Sequence, residues 1–317
     1  MLATSLLYPL LTTIALFLAP GSYAINQTQN HSSSLPSTSS TITYHGGHLL
    51  TEPSGINVYI IWYGAFSIED RTSIIDFFDS FDQKDHEEPS VLTWWKTTAS
   101  YKDKENNPVS GIVKLAKQAG DIYSFGKRLH RGEIQEIVNK KIKGDRLPVD
   151  YNGIYLVMTS KDVIVEKFCM GSCGFHETSV GPSNKRLVYA HVGDSSQCPG
   201  LCAWPYAIPA YGPPGPALVP PNGVAADGMI INIATVLAGA ATNPYKDGYF
   251  QGDALAPLEA VTACPGMFGA GAYPGNPGHL IQDKESKASY NVHGENGKKF
   301  LLPAIWDFSS SSCKVIT

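Results

Sequence analysis

The sequence predicts a single α/β domain in which helices cover a mixed β-sheet and one helix lies buried at the centre of the fold. The first observation is the segment Ile56–Tyr63, whose apolar and β-branched residues are typical of a strand buried on both faces. The second is that further apolar strands alternate with helical patterns along the chain. The third is the segment that opens at Asp227, where apolar residues cover nearly every face of a helix and so indicate burial in a protein core.

The composition excludes one class of partner and limits the number of domains. Only 16% of the residues are charged, against about 25% in an average soluble protein, and the net charge is −4. No block of basic residues occurs, so nucleic acid is not an expected partner. The 317 residues carry no internal repeat and no clear boundary, so we predict one domain, with long Gly/Pro-rich loops in its second half.

The amino-terminal segment Met1–Ala24 has the pattern of a secretory signal. Leu10–Leu18 forms a short apolar run, and Ser22-Tyr23-Ala24 places small residues before a cleavage position. The run is too short for a bilayer span, which favours a cleaved signal over a membrane anchor, and we predict no membrane span in the chain.

The segment Ile25–Thr43 is rich in Ser, Thr, Asn and Gln and has few apolar residues to bury. Such a composition predicts a disordered tail. The tail contains the two N-glycosylation sequons of the chain, and we predict Asn26 and Asn30 as the glycosylated residues.

Helix start signals follow the first long strand. Ser67 is positioned to cap a helix with Asp70 as the acid of a capping box, and Pro89-Ser90 opens a second helix that contains Trp94 and Trp95. The tryptophan pair indicates either core packing, which we favour, or a platform for a sugar. The next predicted elements are a strand over 113–123, a helix over 132–143, a buried strand over 151–159 and an edge strand over 187–192.

The central helix is predicted over 227–241, with Asp227 as its N-cap. It ends there because Thr242-Asn243-Pro244 disfavours the helical conformation. Beyond it the pattern predicts a short helix over 256–263, a tight Gly-rich loop over 266–278 and one or two strands over 290–306.

The cysteines predict disulfide bonds. An even number behind a secretory signal indicates a disulfide framework, for which 15 pairings exist. The two CxxxC pairs leave a four-thiolate zinc site as an alternative, which their spacing disfavours because zinc sites usually have CxxC. The six residues are Cys169, Cys173, Cys198, Cys202, Cys264 and Cys313.

Familiar catalytic motifs are absent from the sequence. It contains no GxSxG, no phosphate-binding loop and no dinucleotide fingerprint. His176-Glu177 suggests a zinc peptidase, but position 180 is Val and the flanking glycines and proline argue against a helix. We therefore predict His176 to be a hydrogen-bonded loop residue, and we predict no catalytic residue, no metal site and no cofactor.

A glycosidase would need two carboxylates that face one sugar ring. The candidates by local density are Asp227, Asp247, Asp253 and Glu259. Asp227 is better explained as a helix cap and Asp247 as a turn residue before Gly248.

Aromatic residues cluster on either side of the central helix and could stack on the faces of sugars. The alternative, which we favour, is that loops without regular structure use large side chains to pack. The cluster comprises Trp204, Tyr206, Tyr211, Tyr245, Tyr249 and Phe250, of which Trp204, Tyr245 and Tyr249 are the candidate ligand-binding residues.

Several long and unusual segments resemble the plant EXORDIUM and phosphate-induced protein 1 family. They include PSVLTWWKTTASYKD, EKFCMGSCGFH, CPGLCAWPY, DGMIINIATVLAGAATNPYKDGYFQG and APLEAVTACPGMFGAGAYPGNPG, and the resemblance covers residues 44–317. It implies a secreted protein of the plant apoplast or cell wall, linked to growth control and brassinosteroid response. It implies no established catalytic activity and no active-site residues.

The chain departs from the family pattern in three places: the Ser/Thr-rich tail at 25–43 is additional, His191 stands where an aromatic precedes Val-Gly, and Glu177 stands where Gly follows CGxH. The order of elements also looks like that of zinc peptidases. In that topology the buried helix would carry its metal ligands near Thr235, Val236 and Gly239, and none of these can bind zinc. The analogy therefore suggests an inactivated scaffold reused for binding.

These observations lead to two hypotheses. The first is a non-enzymatic apoplastic or cell-wall protein that modulates plant growth by binding a wall component or a cell-surface protein. The alternative is a cryptic hydrolase of wall polysaccharide, which convergent carboxylates in a cleft would favour. For the disulfides we favour Cys264 with Cys313, and the four cysteines at 169–202 paired among themselves.

Overall fold

The computed structural model describes residues 41–82, 87–211, 215–273 and 275–316. The predicted signal segment, most of the predicted tail and both sequon asparagines lie outside the described residues.

The predicted end of the tail at Thr43 is corrected by two residues. Ile42 is only 1% exposed, and Thr43 pairs with Phe250 in a short antiparallel ladder. The ordered chain therefore includes Ile42 and Thr43, because an apolar side chain and a main-chain pairing partner are available there.

The described residues contain fifteen strands, most of them short. They are β1 (Thr43–Tyr44), β2 (Ile56–Tyr63), β3 (Val113–Asp121), β4 (Arg128–Leu129), β5 (Ile154–Thr159), β6 (Ile164–Val165), β7 (Gly174–Val180), β8 (Arg186–Gly193), β9 (Tyr249–Phe250), β10 (Ile281–Gln282), β11 (Ser289–Tyr290), β12 (Val292–His293), β13 (Lys299–Phe300), β14 (Ile305–Asp307) and β15 (Ser312–Lys314).

Five α-helices and two single turns of 3₁₀ helix complete the described elements. The helices are α1 (Ile68–Asp79), α2 (Val91–Thr98), α3 (Arg131–Lys143), α4 (Pro199–Cys202) and α5 (Val224–Thr242), and the turns are Ser195–Gln197 and Glu295–Gly297. The predicted caps of the first two helices are confirmed, because the hydroxyls of Ser67 and Ser90 accept the amides of Asp70 and Thr93.

A five-stranded mixed sheet organises the fold, in the order β3-β2-β5-β8-β7. All neighbours are parallel except β7, which runs antiparallel to β8 at the edge. The prediction that 187–192 is an edge strand is wrong: β8 lies inside the sheet, and the true edge is β7, whose glycine-flanked sequence predicts a loop. A mixed α/β fold is confirmed.

The two faces of the sheet carry separate cores, because alternate side chains of a strand point to opposite sides. From β2, Val58 and Ile60 pack with α1, α2 and α5 on one face. Tyr59 and Ile61 pack with α3 on the other. This two-sided burial explains why the central strands read as continuous apolar runs.

Helix α5 lies across the sheet against β7, β8 and α1 and is buried along most of its length. It is the one described helix that is long and apolar enough to cross a bilayer, and here a protein core surrounds it. Its predicted start is corrected from Asp227 to Val224, with Gly223 at the cap in a left-handed conformation, φ 98°. Asp227 instead accepts the main-chain and side-chain amides of Asn222.

The region after α5 has little regular structure. The predicted helix over 256–263 is wrong, since Leu258 forms an isolated bridge with Gln251 and residues 260–263 form a turn. The predicted one or two strands over 290–306 are four short ones, β11 to β14, of which β12 and β13 form a pair. Side chains from this region, among them Val261, Phe300 and Leu302, complete the core around α5.

Three disulfides pin the loops, and the predicted disulfide framework is confirmed. Two of them, Cys169–Cys198 and Cys173–Cys202, join the segment before β7 to the segment that contains α4. The third, Cys264–Cys313, ties the turn region after α5 to β15. All six sulfurs are bonded in pairs.

Removing the third disulfide tests how firmly the carboxyl-terminal hairpin depends on it. We expect the double variant C264A/C313A to lose about 4 kcal/mol of unfolding free energy, because the bond restricts a loop of 49 residues in the unfolded chain. Urea unfolding of both proteins under oxidising conditions measures the difference. A loss below about 1 kcal/mol would show that packing alone holds the hairpin.

His191 on β8 should make stability depend on pH. Burial lowers its pKa to about 3, with the Arg131 charge as a smaller cause, and its Nε2 lies 2.9 Å from Thr159 Oγ1. Since the unfolded chain takes up a proton near pH 6.5 and the folded chain does not until about pH 3, stability falls as the pH drops through this window.

Replacing His191 with phenylalanine should remove this dependence. The ring space is already aromatic, with Phe175 and Phe168 nearby. The wild-type protein should lose about 3 kcal/mol of unfolding free energy through His191 between pH 7 and pH 4. H191F should not have this loss, so its stability relative to wild type should rise by about 3 kcal/mol over the same pH range. Denaturant unfolding at several pH values measures the gain. H279F, at an exposed position, is the control; an equal gain there would contradict the assignment to His191.

Candidate functional site

An open cleft of about 390 Å³ lies beside the first four residues of β7, 174–177. Arg131 and Phe175 line it on the α3 side of the sheet, and His176 and Thr235 line it on the α5 side. The opposite wall is the loop 255–262, which follows β9. We call this feature the β7 cleft.

A buried His–Glu pair forms the inner wall of the β7 cleft. His176 Nε2 lies 2.9 Å from both carboxylate oxygens of Glu259, and the two residues are 7% and 8% exposed. Asn243 Nδ2 donates to Glu259 Oε1 over 2.7 Å, and Asn243 Oδ1 accepts the Gly248 amide. Side chains from β7 and from the end of α5 therefore fix the carboxylate of a residue in the loop beyond β9.

The absence of a side chain at Gly239 makes room for this pair. A Cβ at Gly239 would lie 2.4 Å from Glu259 Oε2 and 3.2 Å from His176 Nε2. Glycine inside a helix costs about 1 kcal/mol relative to alanine. The close approach of Glu259 and His176 to the α5 backbone explains why glycine occupies this position.

Three further charged groups line the cleft. Lys246 and Glu177 form an ion pair. The Arg131 guanidinium stacks on the Phe175 ring, 4.2 Å from its centroid, and Nη2 lies 3.5 Å from Ser172 Oγ. Among the described residues Arg131 makes no ion pair, and its buried Nε has no hydrogen-bond partner.

The structure places His176 differently from the sequence prediction. It is hydrogen bonded, as predicted, but it lies on strand β7 and not in a loop. The pairing of β7 with β8 over its whole length explains the difference, since seven consecutive register pairs hold this glycine-flanked segment extended.

Of the four carboxylates considered for a glycosidase, only Glu259 lines the β7 cleft. Asp227 is buried at the start of α5, where desolvation raises its pKa to about 7. Asp247 and Asp253 are exposed, and Asp253 accepts the Leu255 amide in a turn. The second carboxylate in the cleft is Glu177, which the density argument did not include.

The candidate ligand-binding aromatics lie apart from one another. Trp204 packs on Phe268, Tyr245 stacks on His48, and Tyr249 stacks on Tyr44. None of the three is among the residues that line the β7 cleft.

The remaining aromatic residues of the cluster are either buried inside the protein or exposed to solvent, and none lines the β7 cleft. Tyr206 is buried and donates its hydroxyl to the Ser289 carbonyl, Phe250 is buried, and Tyr211 is exposed. Trp94 and Trp95 lie in the core, and their ring nitrogens donate to main-chain carbonyls, so the core interpretation of this pair is confirmed.

Local sequence patterns do not indicate that Arg131, Lys246 and Glu177 contribute to one site. Arg131 is the first residue of α3, and Lys246 follows α5 in a turn with φ 62°. His176 and Glu259 are 83 residues apart, so no local spacing joins them. GFHETSV gives no local signal either, because its two apolar residues, Phe175 and Val180, are five positions apart and therefore lie on opposite faces of the strand.

Metal-ligand side chains in the described part of the chain form one close group of three, Cys169, Cys198 and Cys202. Their sulfurs are engaged in disulfides. In the cleft, a metal would have to displace His176 Nε2 from Glu259, since this nitrogen already contacts both carboxylate oxygens. The arrangement fits an internal hydrogen-bonded pair better than a metal centre.

Alanine at Gly239 tests whether the His176–Glu259 pair sets the constraint on α5. We expect G239A to lower the unfolding free energy by about 1–3 kcal/mol, because the methyl group displaces the Glu259 carboxylate from buried hydrogen bonds. In an E259A background the same change should be neutral or stabilising by up to about 1 kcal/mol, because alanine is the better helix former. Denaturant unfolding of wild type, G239A, E259A and the double variant measures the effect of G239A on the unfolding free energy in both backgrounds.

E259Q is the matched control for this cycle, since it keeps the size of the side chain. G239A should remain destabilising in the E259Q background. If G239A were as destabilising with E259A as in wild type, the constraint would come from another neighbour of α5.

Comparisons with known proteins give the chain its family. Residues 42–316 match the phosphate-induced protein 1 conserved region. The chain is 46% identical to EXORDIUM-like 2 of Arabidopsis thaliana, over 86% of this chain and 88% of that protein. It is 44% identical to PHOSPHATE-INDUCED 1 of Nicotiana tabacum, over 87% and 88% of the two chains.

EXORDIUM of Arabidopsis thaliana is 42% identical over 98% of this chain and 100% of its own length. No solved structure matches the chain. A family model over almost the whole described domain and relatives above 40% identity agree, so the chain belongs to the phosphate-induced protein 1 family, which includes the EXORDIUM proteins.

Proposed function

We propose that this protein is secreted to the plant apoplast or cell wall and modulates growth by binding a wall component or a cell-surface protein in the β7 cleft, without catalysing a reaction. The link to growth and brassinosteroid response comes from the family resemblance. Secretion is supported by the signal-like segment Met1–Ala24 and by three disulfides, which persist in oxidising compartments.

The observation that carries the non-enzymatic proposal is the state of His176. A general base needs a ring nitrogen within reach of its substrate. Here Nε2 is held by both oxygens of Glu259, and Nδ1 is buried without contact to the cleft solvent or a hydrogen-bond partner in the described residues. Such a pair supports a rigid binding surface better than it supports proton transfer.

The order of elements supports a second part of the proposal, a scaffold with zinc-peptidase-like topology that has lost its metal ligands. A mixed sheet of order β3-β2-β5-β8-β7 precedes the buried helix α5. The positions at which ligands are expected carry Thr235, Val236 and Gly239. Stoichiometric zinc in the purified protein would contradict this part.

A cryptic hydrolase of wall polysaccharide remains the second candidate, because Glu177 and Glu259 line the same cleft. Against it, each carboxylate already has a basic partner, Lys246 or His176. While these contacts hold, neither carboxylate is free to act as a nucleophile or to activate water.

The test uses the secreted, oxidised protein with isolated plant walls, a panel of wall polysaccharides and protoplasts. Retention and the release of new reducing ends are scored in the same samples. We expect retention on walls or protoplasts without new reducing ends. New reducing ends that disappear with E259Q and E177Q would establish the hydrolase, and failure to bind any of the surfaces would contradict the binding role.

A further inference from the structure

We propose that the free edge of β7 binds an extended polypeptide segment of a partner protein, with an acidic side chain of that segment placed at Arg131. This inference rests on the proposed binding role of the β7 cleft and names the class of its partner.

One edge of β7 carries main-chain groups that are not paired with another strand in the described part of the chain. The Gly181 amide donates to the Lys185 carbonyl across the hairpin, which fixes the phase of the ladder. In an antiparallel pair the hydrogen-bonding direction alternates along the strand. Ser179, Glu177 and Phe175 therefore face β8, according to the register.

The alternate residues of β7 direct their amides and carbonyls away from the sheet. These are His176, Thr178 and Val180, and within the described residues no hydrogen bond to their main-chain groups exists. A row of such groups is a template for another strand, and addition of an extended peptide to an exposed edge is a recurrent mode of recognition.

The cleft has room for a strand beside this edge, because it extends on both faces of the sheet. The residues that line it come from both faces of the sheet, Arg131 and Phe175 on one side and Thr235 and Val236 on the other. A strand added to β7 would continue the sheet into this space. Its side chains would alternate between the two sides, as they do along any strand.

The Arg131 guanidinium is a cationic group in the cleft that an acidic partner residue could contact. The other charged groups named in the cleft are paired, Lys246 with Glu177 and His176 with Glu259. Among the described residues the Arg131 guanidinium makes no ion pair, and the one recorded carboxylate contact of Arg131 runs from its main-chain amide to Glu166 Oε2, over 3.3 Å. An Asp or Glu of the bound segment would supply an ion pair to the guanidinium, since guanidinium and carboxylate form strong charge-assisted hydrogen bonds.

Exposed apolar side chains surround the same site. Leu255 on the cleft wall is 88% exposed, and Val180 at the end of β7 is 65% exposed. Met170, next to the cleft residue Gly171, is 81% exposed. Exposed apolar groups gathered around a polar cleft are typical of a protein interaction site.

These features favour a polypeptide over a polysaccharide. A sugar ring stacks on an open aromatic face. The one phenyl ring that lines the β7 cleft belongs to Phe175, and the Arg131 guanidinium covers its face. Main-chain donors and acceptors at strand spacing match a peptide backbone instead.

The experiment selects random dodecapeptides displayed on phage against the oxidised mature protein and measures the affinity of the enriched synthetic peptides by fluorescence anisotropy. We expect enriched peptides to share an acidic residue. T178P should weaken them about tenfold or more, because it removes an outward amide and leaves the β7–β8 ladder intact. T178V, which keeps the amide, is the matched control and should bind as wild type does.

A second pair of variants tests the charge. R131Q should weaken acidic peptides about tenfold, whereas R128Q, at an exposed arginine on β4, should not change their affinity. Peptides with N-methyl groups on alternate amides keep the test decisive if T178P does not fold. N-methylation of the peptide amides that point toward β7 should abolish binding, and N-methylation of the amides that point away from β7 should leave binding unchanged.

The inference is overturned if selection enriches no peptide over an unrelated control protein, or if binding is insensitive to both T178P and the phase of methylation. Wall or protoplast retention that persists in such a case would leave the proposed function standing. Loss of polysaccharide retention in R131Q, without peptide binding, would assign the cleft to a glycan and would also overturn the inference.

Discussion

The structure depends on the need to cover helix α5 on every side. An amphipathic helix needs a neighbour on one face only, whereas a helix that is apolar all round must be surrounded. The sheet and α1 cover part of α5. The rest is covered by the carboxyl-terminal region, which has few regular elements and still places Val261, Phe300 and Leu302 in the core. Each fully buried apolar side chain of this kind contributes about 1.5–3 kcal/mol, so irregular loops can hold a central helix in place.

The same burial shapes the β7 cleft. Because α5 approaches β7 closely at Gly239, the space between them admits two interacting side chains, His176 and Glu259, and nothing bulkier on the helix. Their contacts satisfy the carboxylate inside the protein. Arg131 differs, since its guanidinium stacks on a ring and makes no ion pair within the described residues. The cleft thus combines a fixed inner wall with one cationic group that is open to a partner.

Local patterns predicted the parts of the fold that depend on local physics. The apolar run of β2, the caps at Ser67 and Ser90 and the all-round apolar surface of α5 each determine an element without help from distant residues. Strand β7 could not be predicted in this way, because GFHETSV is held extended by its pairing with β8. The site was out of reach for the same reason, since Glu259 meets His176 across 83 residues. Only the tertiary fold brings the two together.

The two interlaced disulfides beside β7 have a mechanical consequence. Cys173 directly precedes the strand and is bonded to Cys202 at the end of α4, while Cys169 is bonded to Cys198 just before that helix. Helix α4 in turn packs on α5. Tension applied to the start of β7 therefore reaches α4 through a covalent bond, in addition to reaching β8 through hydrogen bonds. An edge strand that would otherwise peel away under load is anchored at the end nearest the Arg131 side of the cleft.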